Sequence, residues 1–205
     1  MELEELKSAW AQYDKKLTQN LKLNEELLRK MNLEKSKKEM NAPLIYEIIY
    51  ITISVIFLLF IASATIRYSY ELKFLLPGII TSIIIVIWVY NSFSKIRLLS
   101  NIDYYYSPII ELQKSINTFK LMYQKYKKFE LYSIPAFAIS AIPILGIALR
   151  SFDIYEHPIR FIVAIVLSLV LCYPVQIWLY KNLYDKNIRN TTKFLDELSK
   201  FEQEE

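Results

Sequence analysis

Side chains that commonly carry catalysis or hold metals are scarce in this sequence. The chain contains one histidine, His157, and one cysteine, Cys172. A zinc site needs several such ligands in one place, and a Ser-His-Asp site would have to rely on His157 alone. Gly78 and Gly146 both lie in apolar stretches and neither precedes Lys-Ser or Lys-Thr, so no phosphate-binding loop is indicated. The sequence therefore predicts a protein that is not an enzyme, with no catalytic residue, no cofactor and no metal.

Four long apolar stretches divide the chain and dominate its composition, which is 54% hydrophobic. About 20 apolar residues cross the hydrocarbon layer of a membrane as a helix. The charged residues inside these stretches, Glu47 and Arg160, both lie near an end, whereas a transport pathway normally needs ionisable residues in the bilayer interior. The sequence predicts an all-α membrane protein with four transmembrane helices in two hairpins, at 43–66 and 74–94, then 131–149 and 158–180.

The distribution of basic residues predicts the orientation. Of the 25 Lys and Arg residues, all but Arg67, Lys73, Arg150 and Arg160 lie in three stretches, 1–41, 95–130 and 181–205. Basic flanks stay on the cytoplasmic side. Both termini and the middle stretch are therefore expected in the cytoplasm, with the protein in a bacterial inner (cytoplasmic) membrane. The basic stretch 95–130 is expected to bind anionic membrane lipid, whereas nucleic acid is not a favoured partner.

Apolar residues near the N-terminus alternate at spacings of three and four, as in the a/d seam of a coiled coil. Without Gly or Pro, this segment predicts one cytoplasmic helix over 1–40 that ends before Asn41-Ala42-Pro43. Two asparagines lie in the seam, where a polar residue lowers stability but fixes register and partner number. We call the following residues the N-terminal seam: Leu3, Leu6, Trp10, Tyr13, Leu17, Asn20, Asn24, Leu27 and Met31.

The middle and C-terminal stretches repeat the same spacing. In 95–130, Ser107-Pro108 is typical of a helix start, so a bend or restart of the chain is expected there. Three amphipathic helices on one side of the membrane can bury one another's stripes. We therefore expect a cytoplasmic bundle formed by 1–40, 95–130 and 181–205. The stripes are Ile102, Tyr105, Ile109, Leu112, Ile116, Phe119, Tyr123 and Tyr126, and then Tyr184, Ile188, Thr191, Leu195 and Leu198.

Two groups of short motifs resemble those of a known family. They are Met-Glu-Leu-Glu-Glu-Leu-Lys at 1–7 with Trp10 and 13–17, and Ile102-Asp103-Tyr104 with Ser107-Pro108-Ile109 and Leu112-Gln113-Lys114. The chain is similar to small, uncharacterised inner-membrane proteins of Bacteroidota that are often encoded beside extracytoplasmic-function sigma factors, and some of these are called anti-sigma-like. The resemblance implies a regulatory membrane protein with a sigma factor as a candidate partner. The chain lacks the His-x-x-x-Cys-x-x-Cys zinc signature of many anti-sigma domains, so sigma binding would use a bare helical face.

These patterns favour a membrane-anchored regulatory protein that binds a cytoplasmic protein through its amphipathic helices. Trp10 and Tyr13 are the expected anchors, because aromatic side chains supply much of the contact energy at interfaces. The alternatives are that both pack inside the chain's own bundle, or that the N-terminal helix lies on the membrane surface. A structural subunit that homo-oligomerises through its heptads is a further alternative, and a small transporter is less favoured. The expected partner-binding residues are Leu3, Leu6, Trp10, Tyr13, Leu17, Asn20 and Asn24.

Overall fold

The computed structural model describes residues 3–150 and 152–203, with side chains described at 7, 8, 10–149 and 152–200. Within this part of the chain every regular element is helical, which confirms the predicted all-α class. The elements are α1 (Leu3–Arg67), α2 (Leu72–Ser100), α3 (Ile109–Arg150), a 3₁₀ turn (Ile154–Glu156), α4 (Pro158–Leu179), a π-helical segment (Tyr180–Asp185) and α5 (Lys186–Gln203).

Four helical stretches are long and apolar enough to cross a membrane, as the sequence predicts. They lie in α1, α2, α3 and the run that starts with α4 and continues through the π-helical segment into α5. The chain leaves α2 at Ser100 and resumes as α3 at Ile109, so the restart expected near Ser107-Pro108 is present. Between them, the Asp103 carboxylate accepts hydrogen bonds from the N–H groups of Tyr105 and Tyr106 at 3.1 and 3.2 Å, which closes the turn.

The first helix is longer than the sequence indicates. The prediction that a helix over 1–40 ends before Asn41-Ala42-Pro43 is wrong, because α1 continues through Pro43 to Arg67. A proline inside a helix removes one backbone hydrogen bond and costs about 3 kcal/mol. That cost is offset here by packing, because one buried face continues at spacings of three and four on both sides of the proline. The buried residues are Leu33, Ser36, Met40, Pro43 and Glu47.

Two clusters of buried side chains hold the helices together. The small core joins α1, α2 and α3 through Ile61, Phe74, Ile85 and Ile144. The large core joins α1, α2, α3, the π-helical segment and α5. It includes most of the two predicted stripes: Ile109, Leu112, Ile116, Phe119 and Tyr123 from α3, with Tyr184, Ile188, Leu195 and Leu198 from the C-terminal part. Helix α4 contributes no buried residue to either core.

Helices α1 and α2 approach each other closely at Gly78. A Cβ atom at this position would lie 2.1 Å from Oγ1 and 2.9 Å from Cβ of Thr65, well inside van der Waals contact. The Thr65 hydroxyl is itself held by a 2.7 Å hydrogen bond to the carbonyl oxygen of Ile61. Small residues at helix interfaces permit such packing in membranes, where dispersion contacts stabilise association.

We expect Gly78→Ala to lower the free energy of unfolding by about 1–3 kcal/mol, because the added methyl group overpacks the interface with Thr65. Thermal unfolding of the detergent-solubilised protein measures the change. Adding Thr65→Ala should recover part of the loss, since it removes the two nearest atoms but leaves its own Cβ. A Gly78→Ala protein as stable as the wild type would show that the two helices separate at no cost.

Candidate functional site

The described residues of the N-terminal seam, from Trp10 to Met31, lie on an exposed part of α1. Every described side chain from Lys7 to Met31 is exposed, including Trp10 at 68%, Tyr13 at 65% and Leu17 at 48%. Asn20 and Asn24 are exposed as well. The backbone of Leu3 and Leu6 belongs to α1, but their side chains lie outside the described set. The alternative that Trp10 and Tyr13 pack inside the chain's own bundle is therefore wrong.

The seam also faces away from the helices of its own chain. Packing of α1 begins at Leu33, which is buried, whereas Met31, the last seam residue, is 50% exposed. Successive residues of a helix are rotated by about 100°, so these two side chains point to nearly opposite sides. The predicted bundle of three amphipathic helices thus needs correction, because α1 joins the large core only from Leu33 onward and through a different face.

A cluster of buried charges joins three helices. Lys95 of α2 lies between Glu47 of α1 and Glu130 of α3, with its Nζ atom 2.6 Å from Glu47 Oε1 and 3.1 Å from Glu130 Oε1. All three side chains are almost completely buried. Buried ions lose their hydration, so removing Lys95 leaves both carboxylates uncompensated at a large cost. We call these three residues the charge cluster.

Two tyrosines of the π-helical segment complete this cluster. The Tyr180 hydroxyl donates to Glu130 Oε2, and the Tyr184 hydroxyl donates to Glu47 Oε1. The Tyr184 ring stacks on Tyr123 of α3 with ring centroids 4.7 Å apart. Short π-helical segments inside helices are frequent at functional sites, and this one contributes both hydroxyl groups to the carboxylates. Residues from every long helical run of the chain thus meet at one point.

With both carboxylates ionised, the charge cluster carries one negative charge in excess of the single ammonium group, although burial raises the pKa of Glu130. The second carboxylate oxygen of Glu47, Oε2, is buried and has no hydrogen-bond partner among the described residues. The Lys95 Nζ atom also lies 5.7 Å from the centre of the Tyr184 ring. A buried polar atom without a protein partner is rare in folded proteins, and an ordered water or an ion is one way in which such an atom is satisfied.

The charge cluster was not predicted from the sequence. Lys95 and Glu130 lie at the ends of a basic stretch that was expected to bind membrane lipid, and Glu47 was expected only as a charge near the end of a span. Lys95 is in fact 2% exposed, so it cannot bind lipid headgroups in this conformation. One signal was available in the sequence. All three charged residues lie at the predicted cytoplasmic ends of their spans, so they would lie at the same depth in the membrane.

A cavity of about 360 Å³ lies beside the charge cluster, between α3 and α4. Glu130 forms part of its wall, and most of the remaining wall is apolar. Tyr50 and Trp88 contribute aromatic rings from α1 and α2, while α4 contributes Ser168, Cys172 and Gln176. A wider groove of about 660 Å³ between α3 and α5 is lined by both acidic and basic side chains, and its mixed charge indicates no single ligand class.

At the opposite end of the helices, salt bridges link the turn after α1 and the start of α2 to the turn after α3. Lys73 binds the carboxylates of Asp153 and Glu71, the latter at 3.0 Å. Burial acts to raise the pKa of Asp153, but hydrogen bonds from Lys73 and from the Tyr155 N–H outweigh it, so this pKa lies below its usual range. The ring of His157 stacks on Phe152 at 5.1 Å. The described residues contain no group of His, Cys, Asp and Glu that could hold a metal ion.

The described part of the chain thus offers three features that could serve a function: the exposed seam, the charge cluster and the cavity beside it. The seam was predicted from the sequence, whereas the other two emerge from the packing of the helices. No protein-family model matches the chain, and neither a curated protein nor a solved structure matches it.

Proposed function

We propose that this chain is a membrane-anchored regulatory protein of a bacterial inner membrane that binds a cytoplasmic protein through the N-terminal seam. In this proposal the four apolar helices span the membrane as two hairpins, and the large core with both termini lies in the cytoplasm. The observation that carries the proposal is the exposure of the whole described seam on a face that points away from the chain's own core. The motif resemblance makes a sigma factor the candidate partner.

The continuity of α1 argues against a membrane-surface role for the seam. Its apolar part and its exposed part belong to one helix, from Leu3 to Arg67. When the apolar part crosses a bilayer, the exposed part points away from the surface and extends by about 1.5 Å per residue. An amphipathic helix that binds lipid must lie in the plane of the interface instead. The apolar stripe is therefore available to a protein and not to headgroups.

The charges around the seam balance. Residues 1–31 contain six basic and six acidic side chains, so a complementary helix would be selected by its apolar stripe and by local charge pairs, not by net charge. The basic residues are Lys7, Lys15, Lys16, Lys22, Arg29 and Lys30, and the acidic ones are Glu2, Glu4, Glu5, Asp14, Glu25 and Glu26.

A second copy of the chain is the alternative occupant of the seam. Two copies inserted in one membrane present their α1 helices in parallel and at the same height, so Asn24 would meet Asn24 of the other copy at one seam level. A buried Asn at such a position specifies register and oligomer state in parallel coiled coils. This arrangement corresponds to the structural subunit that homo-oligomerises through its heptads.

A chain shortened to begin at Asn32 tests the proposal. We expect it to insert in the membrane with near-normal stability, because the described side chains from Lys7 to Met31 are exposed, and to lose its cytoplasmic partner. A chain that begins at Asn41 lacks the buried residues Leu33 and Met40 and should lose about 2–5 kcal/mol for each. Membrane fractionation, limited proteolysis and recovery through a C-terminal tag measure these outcomes.

The result also separates the two occupants of the seam. Copurification of two differently tagged full-length copies, lost in the chain that begins at Asn32, would support homo-oligomerisation. Recovery of the same partner protein by both chain lengths would overturn a partner-binding role for the seam. Loss of membrane insertion on removing the first 31 residues would show that the exposed helix belongs to the folded core.

Reporter fusions test the orientation. Fusions at residues 40 and 115 and at the C-terminus should report a cytoplasmic location, and fusions at residues 70 and 154 should report the other side, because basic flanks are retained in the cytoplasm. A paired phosphatase and fluorescent-protein reporter at each position provides the measurement. An external signal at residue 115 would contradict the two-hairpin arrangement.

A further inference from the structure

The cavity between α3 and α4 combines an apolar wall with one excess negative charge. Its volume of about 360 Å³ lies within the range of sites for small organic ligands, which begins at about 300 Å³. The wall includes Ile134, Phe137 and Ile142, which exclude a hydrated ion. Glu130 joins this wall to the charge cluster, where two carboxylates face the single ammonium group of Lys95. The site is therefore complementary to a ligand that is both apolar and positively charged.

The hydrogen bonds of Glu130 narrow the class of cation. Its Oε1 atom lies 3.1 Å from Lys95 Nζ, and its Oε2 atom accepts the hydroxyl of Tyr180. Each oxygen already accepts one hydrogen bond from the protein, which leaves only part of the acceptor capacity of this side chain for the N–H groups of a primary ammonium ligand. A quaternary cation has no N–H group and needs none. Its charge interacts with the carboxylate through space and with the faces of aromatic rings.

Aromatic side chains line the same cavity as Glu130. Tyr50 from α1 and Trp88 from α2 both line the cavity, together with Phe137 from α3. The Trp88 ring is held in place by a 2.8 Å hydrogen bond from its Nε1 atom to Ser133 Oγ and by contact with Phe137 at a centroid distance of 4.8 Å. Indole is the strongest aromatic partner for cations, and a fixed ring loses little entropy on binding.

Access to the cavity is available beside α4. This helix has no buried residue, and its Cys172 is exposed even though it lines the cavity. An apolar ligand that dissolves in the bilayer can thus enter the cavity laterally, past α4, which has no buried side chain. An acyl chain of a lipid fits the apolar wall but offers nothing to the excess negative charge.

We infer that this cavity is a binding site for a hydrophobic organic cation with a single positive charge, of the quaternary ammonium class, held by the charge of Glu130 and the rings of Tyr50 and Trp88. The inference goes beyond the proposed partner-binding function and does not depend on it. The site uses a different part of the molecule from the N-terminal seam.

The native chain carries its own reporter for a test. Cys172 is the single cysteine of the sequence and lies in the cavity wall, so ligand binding should slow its modification by N-ethylmaleimide in the full-length, detergent-solubilised protein. The probe is benzyltrimethylammonium. Its matched control is neopentylbenzene, in which a carbon atom replaces the charged nitrogen and the shape is kept. We expect saturable protection by the cation and at least tenfold weaker protection by the neutral analogue.

Two substitutions complete the test. Glu130→Gln keeps the side-chain shape and leaves one carboxylate paired with Lys95, so the fold should persist while affinity for the cation falls at least tenfold. Glu197→Gln, on the exposed side of α5, removes the same charge far from the cavity and should change nothing. Modification of Cys172 at wild-type rates without ligand verifies that each variant keeps its cavity.

The possible results support or overturn the inference. Protection by the cation that is lost in Glu130→Gln and kept in Glu197→Gln supports it. No saturable protection by the cation in the wild-type protein overturns it. Equal protection by cation and neutral analogue, unchanged in Glu130→Gln, would assign the cavity to uncharged apolar molecules such as lipid chains and would overturn it as well.

Discussion

Replacing Lys95 with methionine is expected to destabilise the folded protein by about 3–5 kcal/mol. The substitution keeps the length and apolar stem of the side chain but removes the ammonium group that lies between Glu47 and Glu130. Two carboxylates would then share a buried site without a positive charge. Unfolding of the purified protein by heat or by a denaturing detergent measures the loss.

A matched control is available on α5. Lys193 lies 3.9 Å from Glu197 with three quarters of its side chain exposed, so Lys193→Met should change stability by no more than about 0.5 kcal/mol. Adding Glu47→Gln to Lys95→Met removes one of the uncompensated carboxylates and should recover part of the loss. If Lys95→Met were as stable as Lys193→Met, the charge cluster would contribute nothing to holding α1, α2 and α3 together.

Replacing Trp10 and Tyr13 together with alanine is expected to weaken binding of the cytoplasmic partner by well over a hundredfold. Aromatic anchors at interfaces typically contribute about 2 kcal/mol or more each, and about 1.4 kcal/mol corresponds to a tenfold change in affinity. Both side chains are about two-thirds exposed in the isolated chain, so abundance and topology should stay close to normal. Recovery of partners from solubilised membranes at matched protein levels measures the effect.

The control for this experiment is a pair of exposed residues on the same helix but outside the seam. Gln12→Ala with Gln19→Ala truncates two side chains that are also exposed, and should leave partner recovery unchanged. If the variant with Trp10 and Tyr13 replaced were scarce and sensitive to protease, the two rings would be needed for packing within the chain. A stable variant with normal partner recovery would eliminate the role assigned to the seam.

The helices could be predicted because their signals are local. Apolar length identifies a span, and the spacing of Ile188, Leu195 and Leu198 in α5 identifies a buried stripe that the structure confirms. The same spacing in the N-terminal seam predicts a helix but does not say what covers it. Periodicity describes the face of one helix, and the partner of that face depends on the rest of the fold or on another molecule.

The site could not be predicted because its parts are far apart in the sequence. Glu47, Lys95 and Glu130 each lie near the end of an apolar stretch, where a charged residue is ordinary. Only the packing of α1, α2 and α3 brings them within hydrogen-bonding distance. Pro43 was misjudged for a related reason, since a local rule for ending helices yields when the same face is buried on both sides.

The continuity of α1 through Pro43 makes the helix a lever. Beyond the buried Leu33 it extends about 35 Å to Trp10, at about 1.5 Å per residue. A change of about 10° in the tilt of its packed and membrane-embedded part moves the tip sideways by about 6 Å over that length. The packed part includes Glu47, so the arm is fixed to the charge cluster. A partner held at the tip would be displaced by about 6 Å by a small rearrangement of the helices inside the bilayer.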